Sequence, residues 1–321
     1  MFAGGGETGP EYLRAHRLVD SWELAKLVRQ SAEAGRYVIS VRDITTILLS
    51  GLSVVCQVGD FNSVPTSFAI SIIKDHSGFR DAWEDTHPNP PSAIPQNITP
   101  IDAVHTFGAT ADSPANTYSA GKPLDEYARQ FLGKRLDYVL YRSPVHSLRS
   151  SRTPVLEPTQ SDVVFTQRVP GKPFSFSDHF GLEATFSIRL PQGQSGDTNE
   201  PSQQPFSVPT IQANPPPGLS DASVTTLIQA LTASYRISRS NQRLYLAIFF
   251  VSLLVIVGLT IGSAWSPHSW TGPVFLFVTT VLAWLATTML YAGFLYCNYE
   301  TNTLDNIIEE LELYRGTIRR D

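Results

Sequence analysis

Residues 59–63 read Gly-Asp-Phe-Asn-Ser, residues 136–139 read Leu-Asp-Tyr-Val, and residues 177–180 read Ser-Asp-His-Phe. Each of these three short sequences places carboxylate, amide or imidazole groups directly beside a run of β-branched or aromatic residues. A sheet can direct several side chains into one cleft from positions at the ends of its strands. The three sequences are therefore candidates for one shared site.

The surrounding residues predict a mixed α/β region over residues 1–190. Residues 14–34 carry apolar side chains at helical spacing, among them Leu18 and Trp22. We expect strands over residues 37–41, 136–141, 162–165 and 182–188. Residues 85–121 are rich in Pro, Ser and Asn, which predicts surface loops.

Composition limits the classes of protein that the chain can represent. A formal net charge of −5 argues against a nucleic-acid binder that works through a broad basic face. The two cysteines, Cys56 and Cys297, give no disulfide framework, because Cys297 lies in an apolar run. The first 16 residues contain no apolar stretch, so they are not a signal peptide.

The remaining residues predict a membrane anchor. Residues 191–220 are rich in Pro, Gln and Ser, which predicts a disordered linker, and residues 221–243 predict a juxtamembrane helix. Residues 244–264 and 274–297 contain no charged side chain, and each run is long enough to cross a bilayer. The alternative is a pair of buried core helices.

The flanking charges predict the topology of this anchor. Arginines precede the first apolar segment and follow the second, and the residues between the segments contain no Lys or Arg. Positive residues prefer the cytoplasm, so the globular region and the tail should both be cytosolic. The endoplasmic reticulum and the mitochondrial membrane are both plausible locations. Residues 300–321 form an amphipathic tail that packs on a partner helix or lies on the membrane.

Asp60, Asn62, Asp178 and His179 supply the groups that phosphodiester hydrolysis needs. Carboxylate oxygens suit Mg²⁺, an imidazole oriented by a carboxylate takes a proton from water, and an amide steadies charge on phosphoryl oxygens. Taken singly, a Gly-Asp pair is usually a turn and an Asp-His pair is usually surface polarity. The ordered combination is more specific.

This combination resembles the endonuclease/exonuclease/phosphatase superfamily. Residues 14–27, 78–83, 116–118 and 133–138 further resemble neutral sphingomyelinases, and above all the fungal inositol phosphosphingolipid phospholipases C. The resemblance implies an α+β fold, a partial four-layer α/β/β/α sandwich, followed by a two-helix transmembrane hairpin. It also implies Mg²⁺ as cofactor and hydrolysis of a membrane sphingolipid to ceramide and a phosphorylated head group. The implied partners are the substrate and the bilayer, including anionic phospholipids, with no nucleic acid and no identified protein.

The resemblance assigns roles to individual residues. Asp60 and Asn62 match a pair that stabilises the transition state and orients phosphate, and His179 matches the general base. Asp178 matches a carboxylate near the metal or paired with a histidine. Asp137 matches a carboxylate that supports the cleft and substrate, with a purely structural Asp as the alternative.

Four further residues are expected at the substrate. Asn116 and Tyr118 are expected to line its pocket. Lys134 and Arg135 are expected to contact phosphate or anionic lipid, with a solvated basic pair as the alternative.

The sequence departs from the family pattern in two places. The resemblance implies an upstream half that carries the main metal-binding Glu and a catalytic His, and residues 1–36 contain no match to it. Residues 41–57 interrupt the strand that should lead into residues 58–62, which predicts either a retained intron or an inserted hairpin. A catalytically inactive membrane-anchored fragment and another phosphodiesterase or nuclease of the superfamily are therefore alternatives.

Overall fold

The computed structural model describes residues 11–40, 54–57, 60–89, 91, 95, 97–143, 155–189, 218–266, 268 and 270–320. The chain divides into two compact units, residues 1–219 and residues 220–321. Unit 1 carries all of the predicted site residues, and unit 2 carries both predicted membrane segments.

The described part of unit 1 combines helices with two small sheets. Its helices are α1 (Glu11–Glu33), α2 (Phe68–Ser77), α3 (Ala82–Thr86), α4 (Pro100–Phe107) and α5 (Glu126–Phe131). Its strands are β1 (Tyr37–Ser40), β2 (Val54–Gln57), β3 (Arg80–Asp81), β4 (Leu140–Arg142), β5 (Val155–Val164) and β6 (Gly181–Arg189). The predicted mixed helix and strand content is confirmed.

The larger sheet has the strand order β2-β1-β4-β3, and β5 and β6 form a separate antiparallel pair. Strand β1 runs parallel to β2 and antiparallel to β4. Residues 54–57 belong to the predicted insertion, and their parallel pairing means that β1 and β2 are not the two arms of a hairpin. Residues 41–53 lie outside the described residues, and the origin of the insertion stays a prediction.

The core forms on both faces of the larger sheet, because successive residues of a strand point to opposite sides. Val38 and Leu140 pack in a cluster with residues of α1 and α2. Their neighbours Tyr37 and Tyr141 pack against Leu156 and other residues of the β5–β6 pair. Helices, the larger sheet and the β5–β6 pair therefore lie in successive layers, while the complete four-layer sandwich stays a prediction.

Several element bounds differ from those predicted. The strand predicted over residues 136–141 begins only at Leu140, and the strand predicted over residues 162–165 begins at Val155. The predicted surface loops contain α4. Thr99 caps this helix by accepting a hydrogen bond from the Asp102 N–H, and Gly108 ends it in the left-handed conformation at φ 68°.

Unit 2 consists of long helices. Helix α6 spans Asp221–Gly262, α7 spans Thr271–Leu290, a π-helical turn spans Tyr291–Tyr296, and α8 spans Cys297–Ile318. Two stretches, Asp221–Ser263 and Thr271–Ile318, are long and apolar enough to cross a membrane. The predicted juxtamembrane helix and the first predicted membrane segment thus form one continuous helix.

Helix α8 packs against α6 in an antiparallel arrangement. The Asp221 carboxylate at the start of α6 pairs with the Arg319 guanidinium just beyond α8 at 2.9 Å. Farther along, the Ser238 hydroxyl donates a hydrogen bond to the Glu300 carboxylate at 2.7 Å. Leu304 and Leu311 of the predicted amphipathic tail are buried. In this structure the apolar stripe of the tail therefore faces a helix of its own unit.

Candidate active site

Asp60, Asp137 and His179 come together although they are far apart in the chain. Each offers one potential ligand atom, and these atoms all lie within 4.8 Å of one another. Asp60 and Asp137 form an isolated antiparallel β-bridge, and the Phe61 N–H donates to the Leu136 carbonyl at 3.0 Å. The first two of the three short sequences therefore lie side by side, and the third reaches them through His179.

The imidazole of His179 is oriented by Asp137. Its Nδ1 lies 2.8 Å from Asp137 Oδ2, and both side chains are largely shielded from solvent. This hydrogen bond is the main reason that the pKa of His179 is raised above its ordinary value. Burial opposes the rise, whereas the negative charges of Asp137, Asp60 and Asp178 add to it. The arrangement fixes the ring and makes it a stronger base.

Thr110, which sequence reasoning missed, connects the two loops that carry this pair. Its buried hydroxyl accepts hydrogen bonds from the N–H groups of Leu136 and Asp137 at 3.2 and 3.3 Å. Its backbone carbonyl accepts a hydrogen bond from the Phe180 N–H at 2.7 Å. One residue thus sets the spacing between Asp137 and His179. No local sequence signal distinguishes Thr110 from the other polar residues of the predicted loops.

Asn116 holds the backbone just before His179. Its Nδ2 donates to the carbonyls of Ser177 and Asp178 at 2.9 and 3.2 Å, and its side chain is fully buried. Its Oδ1 accepts the Tyr118 N–H at 3.0 Å, while the Tyr118 side chain is 45% exposed. The structure therefore places Asn116 behind the His179 loop, and only Tyr118 of this predicted pair presents an exposed side chain.

Asn62 follows Asp60 in a tight turn. It adopts the left-handed conformation at φ 46°, which asparagine tolerates better than most residues. Its backbone N–H donates to Asp60 Oδ1 at 2.8 Å, and Tyr138 Oη donates to the Ser63 carbonyl at 2.7 Å. These bonds hold the carboxylate of Asp60 against the backbone of Asn62 and fix the position of this turn.

Lys134 and Arg135 are both held by carboxylates. Lys134 Nζ lies 2.9 Å from an Asp112 oxygen and also pairs with Asp125. Arg135 is 6% exposed and pairs with the fully buried carboxylate of Asp81. The structure therefore places Arg135 inside the fold, which differs both from the expected phosphate contact and from the alternative of a solvated pair.

Asp178 is placed differently from His179. Its carboxylate is exposed and accepts a hydrogen bond from Ser177 Oγ at 3.0 Å. It is not among the three residues that converge, and the carboxylate hydrogen-bonded to His179 is that of Asp137. Its expected role as a metal ligand stays a prediction.

The converging residues fit a divalent cation. Magnesium prefers oxygen ligands and is commonly held by one or two carboxylates, with water in its remaining positions. Asp60 and Asp137 supply two such carboxylates within one small cluster. The imidazole, fixed through Nδ1 by Asp137, is better suited to proton transfer than to binding a hard cation.

Comparison with known proteins identifies the family of this chain. The sequence profile of the Endonuclease/Exonuclease/phosphatase family matches residues 4–179, more than half of the chain. The chain belongs to this family. Asp60, Asp137 and His179 all lie within the matched residues. The predicted resemblance to the superfamily is therefore confirmed.

Individual relatives also confirm the narrower resemblance. The chain is 28% identical, over 97% of its length, to a protein of Schizosaccharomyces pombe named inositol phosphosphingolipids phospholipase C. A protein of the same name from Saccharomyces cerevisiae and a putative neutral sphingomyelinase of Caenorhabditis elegans are each 28% identical, over 60% and 59% of the chain. The chain spans 63% of the length of the first relative and 33% and 37% of the other two.

Proposed function

We propose that the chain carries catalytic groups of a Mg²⁺-dependent hydrolase that cleaves the phosphodiester of a membrane sphingolipid in the manner of a phospholipase C. A water molecule adds to phosphorus, and the bond from phosphorus to the ceramide oxygen breaks. The products are ceramide, which takes up a proton, and a phosphorylated head group. The observation that carries the proposal is the His179–Asp137 hydrogen bond beside the carboxylate of Asp60.

His179 is the general base in this proposal. Asp137 accepts the hydrogen bond from Nδ1–H, which leaves Nε2 as the acceptor for a proton from water. The same carboxylate stabilises the imidazolium that results. Asn62 would donate hydrogen bonds to the phosphoryl oxygens, on which negative charge builds up.

Asp60 and Asp137 would hold Mg²⁺. When bound, the cation neutralises charge on the phosphate and polarises its oxygens. Asp60 keeps its carboxylate beside the dyad through the hydrogen bond from the Asn62 N–H.

A lipid substrate is supported by the names of the relatives and by unit 2. The printed names of the fungal and nematode proteins refer to sphingolipids. Helix α6 has 42 residues and is about 63 Å long at 1.5 Å per residue, twice the thickness of a hydrocarbon core. We propose that its apolar C-terminal half and α7 form a membrane hairpin, with both ends of unit 2 and all of unit 1 in the cytosol.

The experiment measures Mg²⁺-dependent ceramide release from sphingolipid vesicles. It uses the chain itself and a form extended upstream of Met1. His179→Ala should lower turnover by about 10²- to 10⁴-fold, as expected for loss of a general base. His105 is an exposed histidine on α4, so His105→Ala is the matched control and should leave turnover unchanged. Cleavage of abasic DNA without ceramide release, or release that survives His179→Ala, would overturn the proposal.

A further inference from the structure

Residues 165–177, here called the Phe loop, connect β5 to the segment that carries His179. Three phenylalanines of this loop are unusually exposed: Phe165 at 59%, Phe176 at 49% and Phe174 at 42%. The rings of Phe165 and Phe176 lie with their centroids 5.9 Å apart and their planes tilted by 60°. Scattered exposed apolar residues are ordinary in proteins. Three exposed phenylalanines within twelve residues instead indicate an interaction surface.

The Phe loop is folded back on itself. The Lys172 N–H donates to the Val169 carbonyl at 2.9 Å, and Gly171 between them has φ 72°, as the third position of a type II turn requires. The Val169 N–H in turn donates to the Phe174 carbonyl at 2.9 Å. The turn therefore presents its side chains from a fixed backbone.

Both ends of the Phe loop are also held. At one end, the Ser175 N–H donates to Thr117 Oγ1 at 2.8 Å, next to the Asn116 side chain that binds the His179 loop. At the other end, Phe165 adopts φ 58°, a left-handed conformation that is costly for an aromatic residue. Its ring covers Gly181, where a Cβ would lie only 2.8 Å from a ring carbon. Strain of this kind persists where the surroundings enforce it, and here Phe165 remains 59% exposed.

The charge of the Phe loop complements an anionic surface. Arg168 and Lys172 are both exposed, and residues 165–177 contain no Asp or Glu, although the whole chain has a formal net charge of −5. Aromatic and basic side chains together are typical of segments that lie at a membrane interface. Each basic residue near an anionic bilayer adds to the attraction.

We infer that the Phe loop docks on the surface of a bilayer that contains anionic lipid. Phe176 precedes His179 by only three residues, and the intervening carbonyls are bound by Asn116. Docking at this loop would therefore bring the general base to the level of the lipid phosphodiesters. The same chain contains two helices that are long and apolar enough to cross a membrane. This inference rests on the proposed function for its substrate, although docking itself does not require hydrolysis.

Photo-crosslinking of the full chain in vesicles containing phosphatidylserine tests the inference. In one variant p-benzoylphenylalanine replaces Phe176. In the control variant it replaces Ile101, a residue of α4 that is 38% exposed. Lipid adducts are expected from position 176 and not from position 101. Adducts only to peptides, whether of this chain, a second copy or another protein, would overturn docking on lipid, as would equal lipid labelling from both positions.

A charge variant tests the electrostatic part. Arg168→Gln combined with Lys172→Gln should weaken docking on anionic vesicles about 30-fold, at about fivefold per basic residue. On zwitterionic vesicles the same variant should behave as the parent does, and an equal loss on both would refute the role of charge. Ceramide release is measured in the same preparations. Lipid adducts without ceramide release, from both the chain and the form extended upstream of Met1, support docking and count against the proposed function, whereas ceramide release without lipid adducts overturns docking alone.

Discussion

Replacing Asp137 with Asn should disable His179 while leaving the fold in place. Asn is nearly isosteric with Asp but carries no charge, so the bond from His179 Nδ1 at 2.8 Å loses its ionic character. Because Asp137 is the main cause of the raised pKa of His179, that pKa should fall in the variant. Without the carboxylate, the ring also loses the partner that fixes which nitrogen carries the proton.

The size of the effect follows from the geometry. A hydrogen bond to a charged group contributes about 1.5–3 kcal/mol, which corresponds to about 10- to 100-fold in rate if the bond stabilises only the imidazolium. The imidazole side chain is 17% exposed and that of Asp137 is 8% exposed, so solvent screens the pair only in part. Loss of ring orientation and of one of the two proposed Mg²⁺ ligands adds to this, and we expect turnover to fall by about 10²- to 10⁴-fold in total.

Two measurements check this prediction. Histidine NMR titration follows the pKa of His179 directly, and the pH dependence of kcat/KM follows its role as a base. The base must be neutral, so kcat/KM rises with pH through the pKa of His179, and Asp137→Asn should move that rise to lower pH. The pair also stabilises the fold below the ordinary histidine pKa of 6.5, and this contribution is lost as pH rises through the raised value.

Asp178→Asn is the matched control for Asp137→Asn. Asp178 raises the pKa of His179 through its charge, which ranks last among the causes. The fall in pKa should therefore be smaller than in Asp137→Asn. If Asp178→Asn produced the larger fall, or if Asp137→Asn left both the pKa and turnover unchanged, the dyad would be assigned wrongly.

The further predictions concern other charged and polar residues of unit 1. Arg135→Met should destabilise unit 1 by about 3–5 kcal/mol in denaturant titration, because it leaves the buried Asp81 carboxylate without its guanidinium. Lys134→Met should lower the free energy of unfolding by at most about 1 kcal/mol, because its carboxylate partners are half exposed. Equal destabilisation by Arg135→Met and Lys134→Met would contradict this reasoning. Asn116→Ala should lower the free energy of unfolding of unit 1 by about 1–3 kcal/mol, because two backbone carbonyls lose their hydrogen-bond donor. It should also lower turnover more than it raises KM, since it frees the loop before the general base. Burial lowers the pKa of His76 to about 4, so stability should fall as pH drops from 6.5 towards 4, and His76→Phe should flatten that dependence in pH-dependent denaturation.

The sequence predicted α1 and β6 closely because their apolar residues repeat at the period of the element. Helix α4 was missed because a stretch rich in Pro, Ser and Asn is usually a loop, although Thr99, Pro100 and Gly108 are ordinary start and stop signals for a helix. The strand predicted from residue 136 starts late because Leu136 and Asp137 are held by the Thr110 hydroxyl and by the Asp60 segment. Such contacts join residues distant in the chain and leave no periodic signal.

The sequence by itself determined the family, the order of its three short motifs and the two long apolar segments, because each of these is a local pattern of residue types. Only the tertiary structure decided which carboxylate serves His179. Asp178 is adjacent in the chain, yet its carboxylate is exposed, and the carboxylate that accepts the hydrogen bond from His179 belongs to Asp137, 42 residues away. The fold likewise decided that Arg135 and Asn116 support the loops from inside, since burial depends on the packing of several elements together.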